Sequence, residues 1–256
     1  MKNKLKYILF FVVNVFLIIS IFNENVSGVS VASSIINNQK VTTVDKPISN
    51  GRKVYLTFDD GPSYKITNEI LDILDKNEVK ATFFLIGNQI EGKEDVIKRM
   101  YDGGNSIGLH TYTHKFDSIY CNEDVFIKEM IDCRNEINKV IGISPNIIRF
   151  PGGSCSRLSE NGIKALHDNH FKVYDWNLDT TDGFNPKLSP DTLFRKATKG
   201  SEKIYAITLL MHCTDMNENT SKALPKIIEY YKSQGFEFAT ITEDTPELYS
   251  RVRGKK

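Results

Sequence analysis

Short apolar runs alternate with amphipathic helical periods from residue 53 to residue 241, and that alternation confines the chain to an α/β fold. The strand-like runs lie at 53–58, 81–86, 106–109, 147–150, 172–175, 204–211 and 237–241. Between them, Ile66, Ile70, Ile73 and Leu74 mark one helical stripe, and further helical periods cover 91–102, 123–140, 160–169, 190–199 and 220–234. Strand–helix repetition implies parallel strands joined by right-handed crossovers. In such folds functional residues collect at the C-terminal ends of the strands. No internal repeat or low-complexity tract interrupts the pattern.

The ends of these runs carry the chemistry. The first closes on Thr57-Phe58-Asp59-Asp60-Gly61-Pro62, two adjacent carboxylates at a turn. Two acids held together repel, and a bound cation relieves that, one acid ligating it while the other stays free as a base. The third run leads into Leu109-His110-Thr111-Tyr112-Thr113-His114. Histidines four apart share one face of a helical turn and reach a single ion. Asp60, His110 and His114 would form the three-ligand set, with an open position, that suits a catalytic zinc. A plain turn and a pair of surface histidines are the competing readings of each motif taken alone. Later runs end on Arg149-Phe150-Pro151-Gly152-Gly153-Ser154, Asp175-Trp176, and Leu209-Leu210-Met211-His212. His167 and His170 mimic a ligand pair but lack convergent partners, which points to polar helix-end residues.

At 256 residues, with 40% hydrophobic and 25% charged residues, the chain accommodates one sizeable domain. A net charge of +1 indicates no broad attraction to nucleic acid. Lys2, Lys4 and Lys6 precede an apolar stretch from Tyr7 to Phe22, the pattern of an export signal. Residues 1–32 are therefore expected to be a signal peptide or a retained N-terminal membrane anchor, with any membrane contact made through 7–22. Residues 33–50 read as a linker and 51–250 as the catalytic domain. Export allows oxidation of the four cysteines, and Cys155 and Cys213 either pair at the site's rim or pack as free thiols.

Taken in order, these motifs resemble those of the polysaccharide deacetylases of carbohydrate esterase family four, the NodB-homology domain, over about residues 51–245. The resemblance implies a distorted (β/α)7 barrel and a divalent metal, zinc first and cobalt or nickel as alternatives, on Asp60, His110 and His114. It implies Asp59 as general base, Arg149 pairing with it, and His212 as the acid that protonates the leaving amine, with Asp175 holding His212 charged. A backbone N–H of the Gly152-Gly153 turn would face the oxyanion, while Trp176 and Leu210 would line a pocket for the acetyl methyl. The implied activity is removal of N-acetyl groups from an extracellular glycan by an exported, monomeric enzyme at the cell surface. N-acetylglucosamine of peptidoglycan is the first substrate; N-acetylmuramic acid, chitin, acetylxylan, or an inactive wall-binding module are the alternatives. The chain departs from the family pattern at Leu109, where relatives often carry Asn, at Gly152, where many carry an aromatic, and at Cys213, where an acid is common.

Overall fold

The computed structural model describes residues 51–250. Eight strands form one parallel sheet: β1 (Lys53–Gly61), β2 (Thr82–Leu85), β3 (Ser106–Leu109), β4 (Ile147–Ile148), β5 (Lys172–Val173), β6 (Leu178–Asp179), β7 (Ala206–His212) and β8 (Glu237–Phe238). Seven of them run in the order β5-β4-β3-β2-β1-β7-β6, the circumference of a barrel opened between β5 and β6. The eighth, β8, pairs with the start of β1 on the side that β2 takes over further along. The expected seven-membered barrel is thus present as an open, distorted one.

Around the sheet lie α1 (Ile66–Lys76), α2 (Glu94–Asp102), α3 (Phe116–Ile119), α4 (Glu123–Ile141), α5 (Glu160–Asp168), α6 (Pro190–Thr198) and α7 (Glu218–Ser233). Their limits follow from local chemistry. Asn122, Ser159 and Ser189 cap α4, α5 and α6, each side chain accepting a first-turn backbone N–H. Gly142 ends α4 in the left-handed region at φ 73°. No described helix is long and apolar enough to cross a membrane, and the apolar stretch from Tyr7 to Phe22 lies outside the described residues.

Alternation along the strands divides the interior in two. Val54, Leu56 and Phe58 of β1, with Phe83, Leu85, Ile107, Leu109, Ile148, Leu209 and Met211, join the main core with the helices. Phe84, Ile147, Tyr174 and Ile241, with Tyr55 against them, form a second cluster. Gly108 makes room for it. A Cβ there would stand 2.6 Å from Phe84 Cδ1 and 3.0 Å from Ile147 Cγ1.

Overpacking a filled interior costs about 1–3 kcal/mol. Gly108→Ala is therefore expected to lower unfolding stability by about that amount in urea titration. Unchanged stability would mean that Phe84 does not fill the barrel.

Candidate active site

β1 delivers both carboxylates, but a regular strand would point neighbouring side chains to opposite faces. The register of β1 against β2 shifts between Asp59 and Gly61, and Asp60 has φ 67°. This irregularity re-aims Asp60 so that both acids line one cavity of about 320 Å³ at the strand ends. His110, His114, Gly152, Trp176, Leu210 and His212 line the same cavity.

His110 and His114 do not share a helical turn as their spacing suggests. His110 follows directly on β3, and the chain from it to His114 is a loop with φ of 67° at Thr111 and 56° at His114. Glu129 of α4 holds that loop. Its carboxylate accepts the N–H groups of Tyr112 at 2.9 Å and Thr113 at 2.7 Å, and the Thr113 hydroxyl at 2.9 Å. The loop brings the two imidazole centroids to 5.1 Å.

Among the described residues, Asp60, His110 and His114 form the group with metal-binding arrangement, their donor atoms all within 4.8 Å of one another. Asp60 Oδ1 stands 3.5 Å from His110 Nε2 and 3.3 Å from His114 Nε2, and it is buried without a hydrogen bond. A buried carboxylate oxygen with no donor is costly, so the point calls for a cation. His110 donates its Nδ1–H to the Arg149 carbonyl at 2.9 Å, which leaves the Nε2 lone pair facing Asp60. Burial and the neighbouring His110 lower the pKa of His114, which favours the neutral imidazole that a metal requires. The residues fit a divalent cation.

Asp59 is differently placed. Arg149 Nη1 donates to its Oδ1 at 2.9 Å, and Arg149 has no exposed surface. The structure therefore contains the Arg149–Asp59 pair.

These features match known proteins. Residues 46–170 fit the family "Polysaccharide deacetylase". A peptidoglycan-N-acetylglucosamine deacetylase of Bacillus cereus is 36% identical over 203 residues, covering 76% of this chain and 71% of that protein. The chitin deacetylase of Colletotrichum lindemuthianum is 34% identical over 214 residues, covering 78% and 83%. The crystal structure of the polysaccharide deacetylase Bc1974 from Bacillus cereus superposes with a TM-score of 0.68 at 33% identity, covering 77% of this chain and 96% of that one. The chain belongs to the polysaccharide deacetylase family.

In this deacetylase, two contacts differ from those the motifs suggest. Asp175 does not touch His212. Its carboxylate instead accepts the Ser154 N–H at 3.0 Å and the Ser154 hydroxyl at 2.5 Å, fastening the glycine turn. His212 is partnered by Asp182, whose Oδ1 accepts from Nδ1 at 2.8 Å and whose Oδ2 accepts the His212 backbone N–H at 2.9 Å. Thr180 and Thr220 also donate to the fully buried Asp182. Within the turn, Gly153 donates its N–H to Phe150 O at 2.8 Å and packs against Trp176, so Gly152 is the residue of the turn that lines the cavity.

His167 pairs with Glu247 at 2.9 Å, away from the cavity lining. All four cysteines are free thiols; Cys155 is exposed and Cys213 buried, so the paired alternative is not what the structure holds. Burial pushes the Cys213 thiol far up, which keeps it protonated.

Burial opposes charge on His212, but the Asp182 hydrogen bond and charge, with Asp59 and Asp60, outweigh it and raise its pKa to about 9. Burial likewise opposes the Asp182 carboxylate, and the His212 bond overcomes it, so that its pKa falls. Because the folded His212 value lies above 6.5 and that of Asp182 below 3.8, the pair's stabilisation is complete between those two pH values, fades as pH rises through about 9 and is lost again in acid as Asp182 protonates. NMR titration of the metal-free protein should place His212 near 9, and Asp182→Asn should lower it clearly, since only the more distant Asp59 and Asp60 charges then oppose burial. A His212 titration unmoved by the substitution would exclude this coupling.

Proposed function

We propose that this chain removes N-acetyl groups from N-acetylglucosamine units of peptidoglycan, using a divalent cation, zinc first and cobalt or nickel as alternatives, at Asp60, His110 and His114. The observation that carries the reading is the orphaned Asp60 oxygen facing two imidazole nitrogens beside a second, separately paired carboxylate. A cation held there supplies Lewis acidity, polarising the amide carbonyl and acidifying a water. Asp59 accepts the proton of the attacking water, its carboxylate oriented by Arg149. The Gly152 N–H donates to the oxygen that gains charge as the carbonyl carbon becomes tetrahedral. His212, its Nδ1–H committed to Asp182, gives the Nε2 proton to the nitrogen as the C–N bond breaks. Acetate and a free amine result. Trp176 and Leu210 bound the part of the cavity available to the acetyl methyl.

The basic, apolar N-terminal pattern supports action outside the cell, where the wall polymer lies. The likeness to a chitin deacetylase, across most of that protein's length, supports a second reading with a chitin-type glycan as substrate. Both substrates present the same N-acetylated sugar, so the chemistry is common and the groove decides.

Purified peptidoglycan incubated with the zinc-loaded enzyme should release acetate, and mass spectrometry should find the new amine on glucosamine. Asp60→Asn and His114→Ala should abolish release while circular dichroism stays unchanged, and a chelator should do the same reversibly. Asp59→Asn should lower kcat by about 10²–10⁴-fold, the range of general-base catalysis. Full acetate release by the Asp60 and His114 variants would overturn the assignment.

A further inference from the structure

We propose that Phe116 and Phe184 form an aromatic clamp at the mouth of the cavity that grips the pyranose rings of an N-acetylhexosamine oligomer, so that a chain of sugars binds far better than a single one. The proposal rests on the glycan-deacetylase reading above.

Phe184 is 95% exposed, more than any other large apolar side chain among the described residues, and Phe116 is 46% exposed. Both line the same cavity as the acids and imidazoles. Bare aromatic surface contiguous with a polar cavity marks a ligand-binding rim. The two rings stand by different imidazoles. Phe116 meets His114 edge-on at a centroid distance of 5.3 Å. Phe184 follows Gly183, whose backbone lies so close to the His212 ring that an added Cβ would collide with it.

The Phe116 ring is held by its neighbours. Arg157 Nη1 donates to Gly152 O and Gly153 O, both at 2.9 Å, and its guanidinium covers Phe116 at 5.6 Å and Tyr120 at 4.8 Å. The space beside Gly152 is consequently taken. A Cβ there would stand 3.3 Å from Arg157 Nη2 and 3.4 Å from Phe116 Cε1, and its φ of 69° disfavours any side chain. Phe116 therefore supplies, from another segment, the wall that position 152 lacks. The backbone leading to Phe184 is fixed at Asp182, held by His212, Thr180, Thr220 and Asn217, while the Phe184 ring itself stands open to solvent. The packed Phe116 ring is thus pre-positioned and loses little freedom on binding.

A hexopyranose has an apolar C–H face that covers an aromatic ring and polar edges that stay in water, which matches two exposed rings beside a cavity lined by acids and imidazoles. Both rings line the cavity that holds the catalytic groups, so sugars next to the reacting one reach the clamp.

Phe184→Ala and Phe116→Ala should each raise KM for deacetylation of an N-acetylglucosamine tetrasaccharide about tenfold, with kcat little changed and the monosaccharide unaffected. Phe184→Tyr should restore the wild-type KM. Trp176 is the chain's one tryptophan and lines the cavity, so its fluorescence follows tetrasaccharide binding without turnover. Unchanged KM in both variants, or an equal rise for monosaccharide and tetrasaccharide, would overturn the clamp. If the zinc-loaded wild type binds the tetrasaccharide in a Phe184-dependent way but releases no acetate, the clamp stands and the deacetylase reading falls. If the wild type binds no oligosaccharide, the clamp is refuted.

Discussion

A guanidinium sealed from water inside the barrel governs this site. Arg149 has no exposed surface, and removing its charge from solvent carries a penalty of several kcal/mol. The structure offsets it with four hydrogen bonds: Nε to Tyr174 O at 2.8 Å, Nη1 to Thr57 Oγ1 at 2.7 Å and Asp59 Oδ1 at 2.9 Å, and Nη2 to Asp175 O at 3.1 Å. Phe84 closes one face, 4.2 Å from the guanidinium carbon. These partners come from β1, from β2 and from the segment after β5, so the charge is satisfied only when the strands have assembled in this register. The same residue's carbonyl takes the Nδ1–H of His110. Arg149 thus orients Asp59 with its side chain and a metal-type imidazole with its backbone.

Asp59, Asp60 and Asp182 crowd this end of the barrel, and their partners separate them. Asp59 has Arg149. Asp182 has His212 and two hydroxyls. The Oδ1 of Asp60 accepts no hydrogen bond although it is buried. Like charges at short range are tolerated only when each is compensated, so the unbalanced one is where a cation gains most. The proposed division of labour between base, acid-holder and ligand rests on which positive group each carboxylate lacks or has.

Much of this was legible in the sequence because strand ends are legible. Hydrophobic runs located β1, β3 and β7, and their termini carry Asp59, Asp60, His110 and His212. The contacts of Asp182 were not legible. It follows β6, a two-residue strand too short to register as a run, and it sits in Thr180-Thr181-Asp182-Gly183, which reads as a turn. Asp175 ended a clearer run beside Trp176 and drew the assignment; only its folded contacts show that it faces Ser154 instead. Glu129 lies mid-helix on α4, where nothing local distinguishes a loop clamp from a surface acid. The Gly152-Gly153 turn hid a similar detail, since only the folded backbone shows that Gly153 has already given its N–H to Phe150.

Backbone strain gathers where the side chains converge. Asp60, Thr111, His114 and Thr181 all have φ between 56° and 67°, a region that non-glycine residues avoid. Each such residue costs about 1–3 kcal/mol and persists only where its surroundings over-determine it. For the histidine loop the restraint is Glu129, with the Thr111 hydroxyl accepting the His114 N–H at 3.1 Å. For Asp60 it is the network that follows: Cys213 N–H donates to Asp59 O at 3.1 Å, while the Ser63 and Thr67 hydroxyls donate to Cys213 O at 2.7 and 3.0 Å. Cys213 contributes here through its backbone and small buried side chain, since a Cβ at Gly61 would lie 2.7 Å from its sulfur. The position next to His212 is therefore constrained by packing against β1, which accounts physically for a compact thiol there in place of a charged side chain.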